Sequence, residues 1–194
     1  MSLQAFLVST GVVAVSEIGD KTQLLSLLLA ARFKRPAPIV AGILVATIFN
    51  HAIAGALGAW LGAAVDQGIL RWILGAMFIG MGLWALIPDS LDDAKVDDAA
   101  SFMGIFWITT VTFFLAEMGD KTQLATAALA ARFAAVVQVV AGTTFGMLLA
   151  DVPAVFLGHL FSEQARGSWV RYVAAAIFII LGIATFIPGL IPEF

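Results

Sequence analysis

The sequence predicts an all-α integral membrane protein of six transmembrane helices, built as two inverted-topology three-helix repeats. Composition is the first ground. Of 194 residues, 61% are hydrophobic and 12% charged, whereas a soluble domain is nearer half apolar and a quarter charged. The second ground is a polar stretch that occurs twice. Glu17-Ile18-Gly19-Asp20-Lys21-Thr22-Gln23 lies within an apolar run from Leu3 to Ala31, and Glu117-Met118-Gly119-Asp120-Lys121-Thr122-Gln123 within one from Phe102 to Ala131. Each run exceeds the ~20 residues that cross a bilayer. Ionisable groups at that depth are costly and mark sites or pathways.

The helices are expected at 3–31, 37–62, 69–88, 102–131, 135–161 and 168–188. Met1-Ser2-Leu3-Gln4 carries no basic n-region or cleavage site, so the first helix is expected to act as its own insertion signal and stay. A run of about 29 residues would be ~43 Å long as straight helix, more than the hydrocarbon core, so tilt or a break is expected. Arg32-Phe33-Lys34-Arg35-Pro36 ends the first helix with charge and a residue that cannot continue it. Asp66-Gln67-Gly68 separates the second and third, and Pro88 and Pro188 close the third and sixth. Gly55, Gly58 and Gly62 read as a close-packing face. Residues 89–100, with five Asp and one Lys, form an acidic linker. It divides a first repeat, 1–88, from a second, 101–194, within a single membrane domain.

The repeat extends beyond the polar stretch. Ala30-Ala31-Arg32-Phe33 returns as Ala130-Ala131-Arg132-Phe133, Val40-Ala41-Gly42 as Val140-Ala141-Gly142, and Leu57-Gly58 as Leu157-Gly158. Arg71, Phe78, Gly82 and Pro88 also have twins at the same offset. Three helices per unit is an odd number, so the second copy must enter the membrane from the opposite side. In secondary transporters that arrangement places the binding site near the midplane, between the repeats. Arg32, Lys34, Arg35, Lys95, Arg166 and Arg171 fall on one side, Arg71 and Arg132 on the other. The positive-inside rule then puts the linker in the cytoplasm and both termini outside. Trp60, Trp72, Trp84, Trp107 and Trp169 lie near helix ends, as interfacial belts do.

On a continuous helix Glu17, Asp20 and Lys21 share a face, and Gln23 can join it; Glu117, Asp120, Lys121 and Gln123 repeat this. The two faces are expected to meet. Thr47, Asn50 and Asp151 are further polar groups near mid-membrane, Asp151 being the repeat twin of His51. Acids at 17, 20, 117, 120 and 151 against lysines at 21 and 121 leave a formal charge of -3, which an apolar interior does not tolerate without bound cations or protons. The donors are oxygens and the chain has no cysteine, which suits Ca²⁺, Mg²⁺ or Mn²⁺ rather than Zn²⁺ or copper. Closely placed carboxylates hold protons when metal is absent, and competition between metal and protons for one set of carboxylates is the basis of antiport. Lys21 and Lys121 have two readings: an ion pair to the neighbouring acids that lowers the cost of burial, which is preferred, or a tethered cation that fills the site during the return step. Gly19 and Gly119 permit either close helix contact or a local break. His51 reads as a packed residue rather than a ligand, and His159 as interfacial.

Two copies of Glu-x-Gly-Asp-Lys-Thr in a six-helix chain resemble the Gdt family of divalent cation/proton exchangers, which includes manganese exporters of bacteria and Golgi manganese transporters of eukaryotes. The resemblance spans essentially the whole chain. It implies transport of Mn²⁺, and Ca²⁺ as an alternative cargo, against protons, with Glu17, Asp20, Glu117 and Asp120 as ion ligands and Gln23 and Gln123 as added ones. It implies no prosthetic group and no nucleic-acid partner, only lipid, metal ions and protons. It also implies a bacterial inner membrane, since the long loops and targeting segments of eukaryotic members are missing. Two other readings stand beside it. An exporter of small organic solutes, similar to the lysine-exporter superfamily, fits the topology but needs a side-chain pocket the acids do not suggest. Gly19-Asp20 and Gly119-Asp120 also resemble the paired Gly-Asp of intramembrane aspartyl proteases, where two aspartates share a proton; the Lys after each Asp fits ion binding better.

Overall fold

A computed structural model describes residues 2–84, 86–87, 101–157 and 168–187. The acidic linker, Pro88, Pro188, His159, Arg166 and the side chains of Trp169 and Arg171 lie outside the described residues. Eight helices run through the described chain: α1 (Ser2–Glu17), α2 (Lys21–Phe33), α3 (Pro36–Ala64), α4 (Gln67–Trp84), α5 (Phe102–Glu117), α6 (Lys121–Phe133), α7 (Val136–Leu157) and α8 (Ser168–Phe186).

Local chemistry accounts for their ends. Pro36 opens α3, where its missing N–H costs nothing. The Asp66 carboxylate accepts from the Gly68 N–H at 2.9 Å to start α4, and Ser101 Oγ accepts from the Gly104 N–H at 3.2 Å to cap α5.

At the two motifs the structure takes the break, rather than the tilt, of the two alternatives that the length of these runs left open. The helices expected at 3–31 and 102–131 are each broken inside the polar stretch. The halves meet at 69° between α1 and α2 and at 71° between α5 and α6. The cause is backbone: Gly19 has φ +81° and Gly119 φ +75°, a left-handed conformation that L side chains disfavour. No atom would crowd a Cβ on Gly119, so the glycine is there for its dihedral and not for close packing.

α3 and α7 are each long and apolar enough to cross a membrane, and each bent pair also qualifies when taken as one broken span. The described parts of α4 and α8 are apolar but shorter. Large apolar side chains such as Leu7, Phe49, Leu57, Trp60, Trp72, Trp107 and Val137 stand exposed, which suits a surface solvated by lipid.

Packing follows the sequence repeat. α1 lies on α7, α5 on α3, and α4 on α8. Gly142 lets α7 approach the Phe6 carbonyl of α1, and its twin Gly42 lets α3 approach the Phe106 carbonyl of α5. Gly82 and Gly182 each face the other half's isoleucine, Ile179 and Ile79. The closest approach is at Gly58, where a Cβ would sit 2.0 Å from the Ala127 carbonyl oxygen of α6. Since that neighbour is backbone and cannot rotate away, Gly58→Ala is expected to destabilise the protein by about 1–3 kcal/mol. A lowered melting midpoint in detergent checks this; an unchanged midpoint would mean α3 and α6 are not packed this closely.

Candidate metal centre

The break in each motif helix brings the motif residues together. Glu17 is the last residue of α1 and Asp20 immediately precedes α2; Glu117 and Asp120 repeat this between α5 and α6. The single shared helical face expected from the i, i+3, i+4 spacing is therefore not the one that forms, because Gly19 and Gly119 turn the chain between the acids. The turn itself is held twice over. Asp20 N–H donates to the Glu17 carbonyl at 3.0 Å and Asp120 N–H to the Glu117 carbonyl at 3.1 Å. Gln23 Oε1 accepts from the Gly19 N–H at 2.8 Å, and Gln123 Oε1 from the Gly119 N–H at 2.7 Å.

All four motif acids are buried. Carboxylate oxygens of Glu17, Asp20 and Asp120 lie within 4.8 Å of one another, so one acid of the second motif joins two of the first. Glu117 stands outside that trio; its Oε2 accepts from Thr122 Oγ1 at 2.8 Å, as Glu17 Oε2 accepts from Thr22 Oγ1 at 2.5 Å. Asp20 and Asp120 occupy N-cap positions, yet neither carboxylate caps its helix. Both turn instead to lysines. Lys121 Nζ is 2.8 Å from Asp20 Oδ1 and Lys21 Nζ 3.2 Å from Asp120 Oδ1. The ion pairs therefore cross between motifs, where the sequence suggested pairing with neighbouring acids, because the bends aim each ammonium at the other copy.

The surrounding groups extend the cluster. Gln23 Nε2 donates to the Ala150 carbonyl at 3.0 Å, and Gln123 Nε2 reaches Asn50 Oδ1 at 3.5 Å. Asn50 in turn donates to the Phe114 carbonyl at 3.1 Å, and Ser26 Oγ donates to Asp151 Oδ1 at 3.0 Å. Thr47 is buried on α3 and His51 is fully buried; among the described residues neither the Thr47 hydroxyl nor either His51 ring nitrogen has a hydrogen-bond partner. Glu17 Oε1, Glu117 Oε1, Asp120 Oδ2 and Asp151 Oδ2 are likewise buried with no hydrogen-bond donor among the described residues. Buried carboxylate oxygens that lack donors are what a cation satisfies.

The sequence reading did not single out Thr22, Thr122 or Ser26 among the site residues. Both threonines belong to the repeated stretch, which was the available signal. Ser26 offered a fainter one: it lies one turn past Gln23 and its repeat position, Thr126, also carries a hydroxyl.

An all-helical fold with membrane-length apolar helices, bent around buried acids and lysines contributed by two copies of one motif, defines a cation carrier of the membrane. The sequence model described as divalent cation/proton antiporter GDT1 matches the chain twice, over residues 5–93 and 105–193. The chain belongs to this family, and it is a transporter, not an enzyme. The aspartyl-protease and organic-solute readings give way to it. Among curated relatives, the "Putative manganese exporter" of Vibrio cholerae is 46% identical over 186 residues, covering 95% of this chain and 90% of that one. GDT1-like protein 5 of Arabidopsis thaliana is 30% identical, covering 93% of this chain and 94% of its own. Protein PAM71-homolog, chloroplastic, also of Arabidopsis thaliana, is 26% identical over 93% of this chain and 58% of its own. No solved structure matches the chain.

Proposed function

We propose that this antiporter exports Mn²⁺ in exchange for protons through a site formed between its two motifs. The observation that carries the reading is the convergence of Glu17, Asp20 and Asp120, with oxygens inside 4.8 Å, from both copies of the motif. Three carboxylates offer a hard cation oxygen donors and opposite charge, the chemistry Mn²⁺ prefers. Glu117 completes the set, and Gln23 and Gln123 add amide oxygens when the motif turns open. Asn50, Thr47 and Asp151 line the approach. Acids this close in a water-poor interior cannot all be ionised together, so protons occupy them when the metal leaves. Metal and protons then travel in opposite directions on the same groups.

The chain is read as six spans in two inverted halves, 1–88 and 101–194, with the short apolar α4 and α8 as the third span of each. The two bends sit at the site itself, where half-helix ends meet the cargo in other carriers. The acidic linker faces the cytoplasm and both termini the outside of a bacterial inner membrane. The Vibrio cholerae relative's name supports the cargo, and its bacterial source supports a bacterial setting. Ca²⁺ accepts the same oxygen donors but prefers more of them, so it is the second ion to test.

Purified protein in liposomes, challenged with a panel of divalent ions against a pH gradient, decides the matter. Mn²⁺ uptake with counterflow of protons is expected, and Mg²⁺ should be poorly carried because it sheds its water reluctantly. Proton flux that no divalent ion alters would overturn the proposal.

A further inference from the structure

We propose that Lys21 is the chain's own stand-in for the transported cation: its ammonium holds Asp120 and leaves when a divalent ion binds, while Lys121 stays in place. The inference rests on the acid trio being the ion site. The sequence makes the two lysines equivalent; the structure does not. Lys121 Nζ lies 2.8 Å from Asp20 with its side chain 5% exposed, whereas Lys21 Nζ lies 3.2 Å from Asp120 with its side chain 24% exposed. An ammonium with a longer contact and a more exposed side chain is the one a competing cation displaces, since it gives up less attraction on leaving.

Lys21 also sits on the first residue of α2, directly after the bend at Gly19. Its movement off Asp120 is therefore tied to the angle between α1 and α2, and cargo binding can reset that bend.

The test is equilibrium binding of Mn²⁺ alone to the purified full chain in detergent, for wild type, Lys21→Gln and Lys21→Arg. Removing the competitor should tighten binding about tenfold, a change of ~1.4 kcal/mol, with release and turnover slowed; arginine, which keeps the charge, should restore the wild-type affinity. A lysine that merely holds the fold predicts the reverse for Lys21→Gln, an affinity unchanged or weakened, and that result overturns the inference. A second measurement needs no variant. Mn²⁺ should increase reductive methylation of Lys21 relative to Lys121 in wild-type protein, and a constant or falling ratio counts against the proposal. If wild type does not bind Mn²⁺ at all, the ion-site reading falls with it, whereas intact binding with no Lys21 effect removes only this inference.

Discussion

Glu17→Gln is expected to abolish metal-dependent proton flux in proteoliposomes while the protein still folds, and Asp120→Asn is expected to do the same. Each substitution removes one charge from the trio whose oxygens lie within 4.8 Å without changing side-chain volume. The loss should be at least ~100-fold, since even groups that only orient a metal ligand cost 10–100-fold when removed. Folding should survive in both. At position 17 the amide oxygen can still accept from Thr22 Oγ1, which bonds Glu17 Oε2 at 2.5 Å. At position 120 the amide oxygen can still accept from Lys21 Nζ at 3.2 Å. Monodisperse elution and an unchanged melting midpoint, with flux lost, would meet the expectation. Flux at the wild-type rate would remove these residues as ligands.

Lys121→Gln is expected to act on stability rather than on transport alone. The Lys121 and Asp20 side chains are 5% and 1% exposed, and their 2.8 Å contact joins the two halves of the chain. Breaking a buried ion pair by removing one partner costs about 3–5 kcal/mol. A marked drop in thermal stability in detergent is expected for Lys121→Gln, with much of it recovered in the double variant Lys121→Gln/Asp20→Asn, where the buried carboxylate charge is removed as well. If the double variant is no more stable than the single one, the contact is not what holds the halves together. Lys21→Gln should cost less, because its pair is longer and its side chain is 24% exposed.

Much of the make-up of the candidate site is legible in the sequence. Doubling of the Glu-x-Gly-Asp-Lys-Thr stretch identified the four acids, and all four are buried where the two motifs meet. The family match falls on 5–93 and 105–193, the same hundred-residue offset that the identities showed. Asn50 and Asp151 could be picked out because polar groups in an apolar helix need a partner, and both have one. Gln23 and Gln123 were expected to offer oxygens to an ion; those oxygens accept from Gly19 and Gly119 and brace the turns. That use is invisible in a sequence because it depends on the turn existing first.

The helical, membrane-suited character of the chain, its internal repeat and the residue types at its centre are all written in the order of its residues. These are local or compositional properties: hydropathy, offset identity and the placing of charge. The packed fold settles that each motif helix breaks at its glycine and that carboxylate oxygens of Glu17, Asp20 and Asp120 come within 4.8 Å of one another. It also settles that each lysine reaches the other copy's aspartate, and that one lysine is held tightly and the other loosely. Glycine tolerates φ near +80° but does not demand it, so the break depends on what packs around it. Likewise, an ammonium finds the carboxylate that the bends bring within reach, not the one nearest to it along the chain.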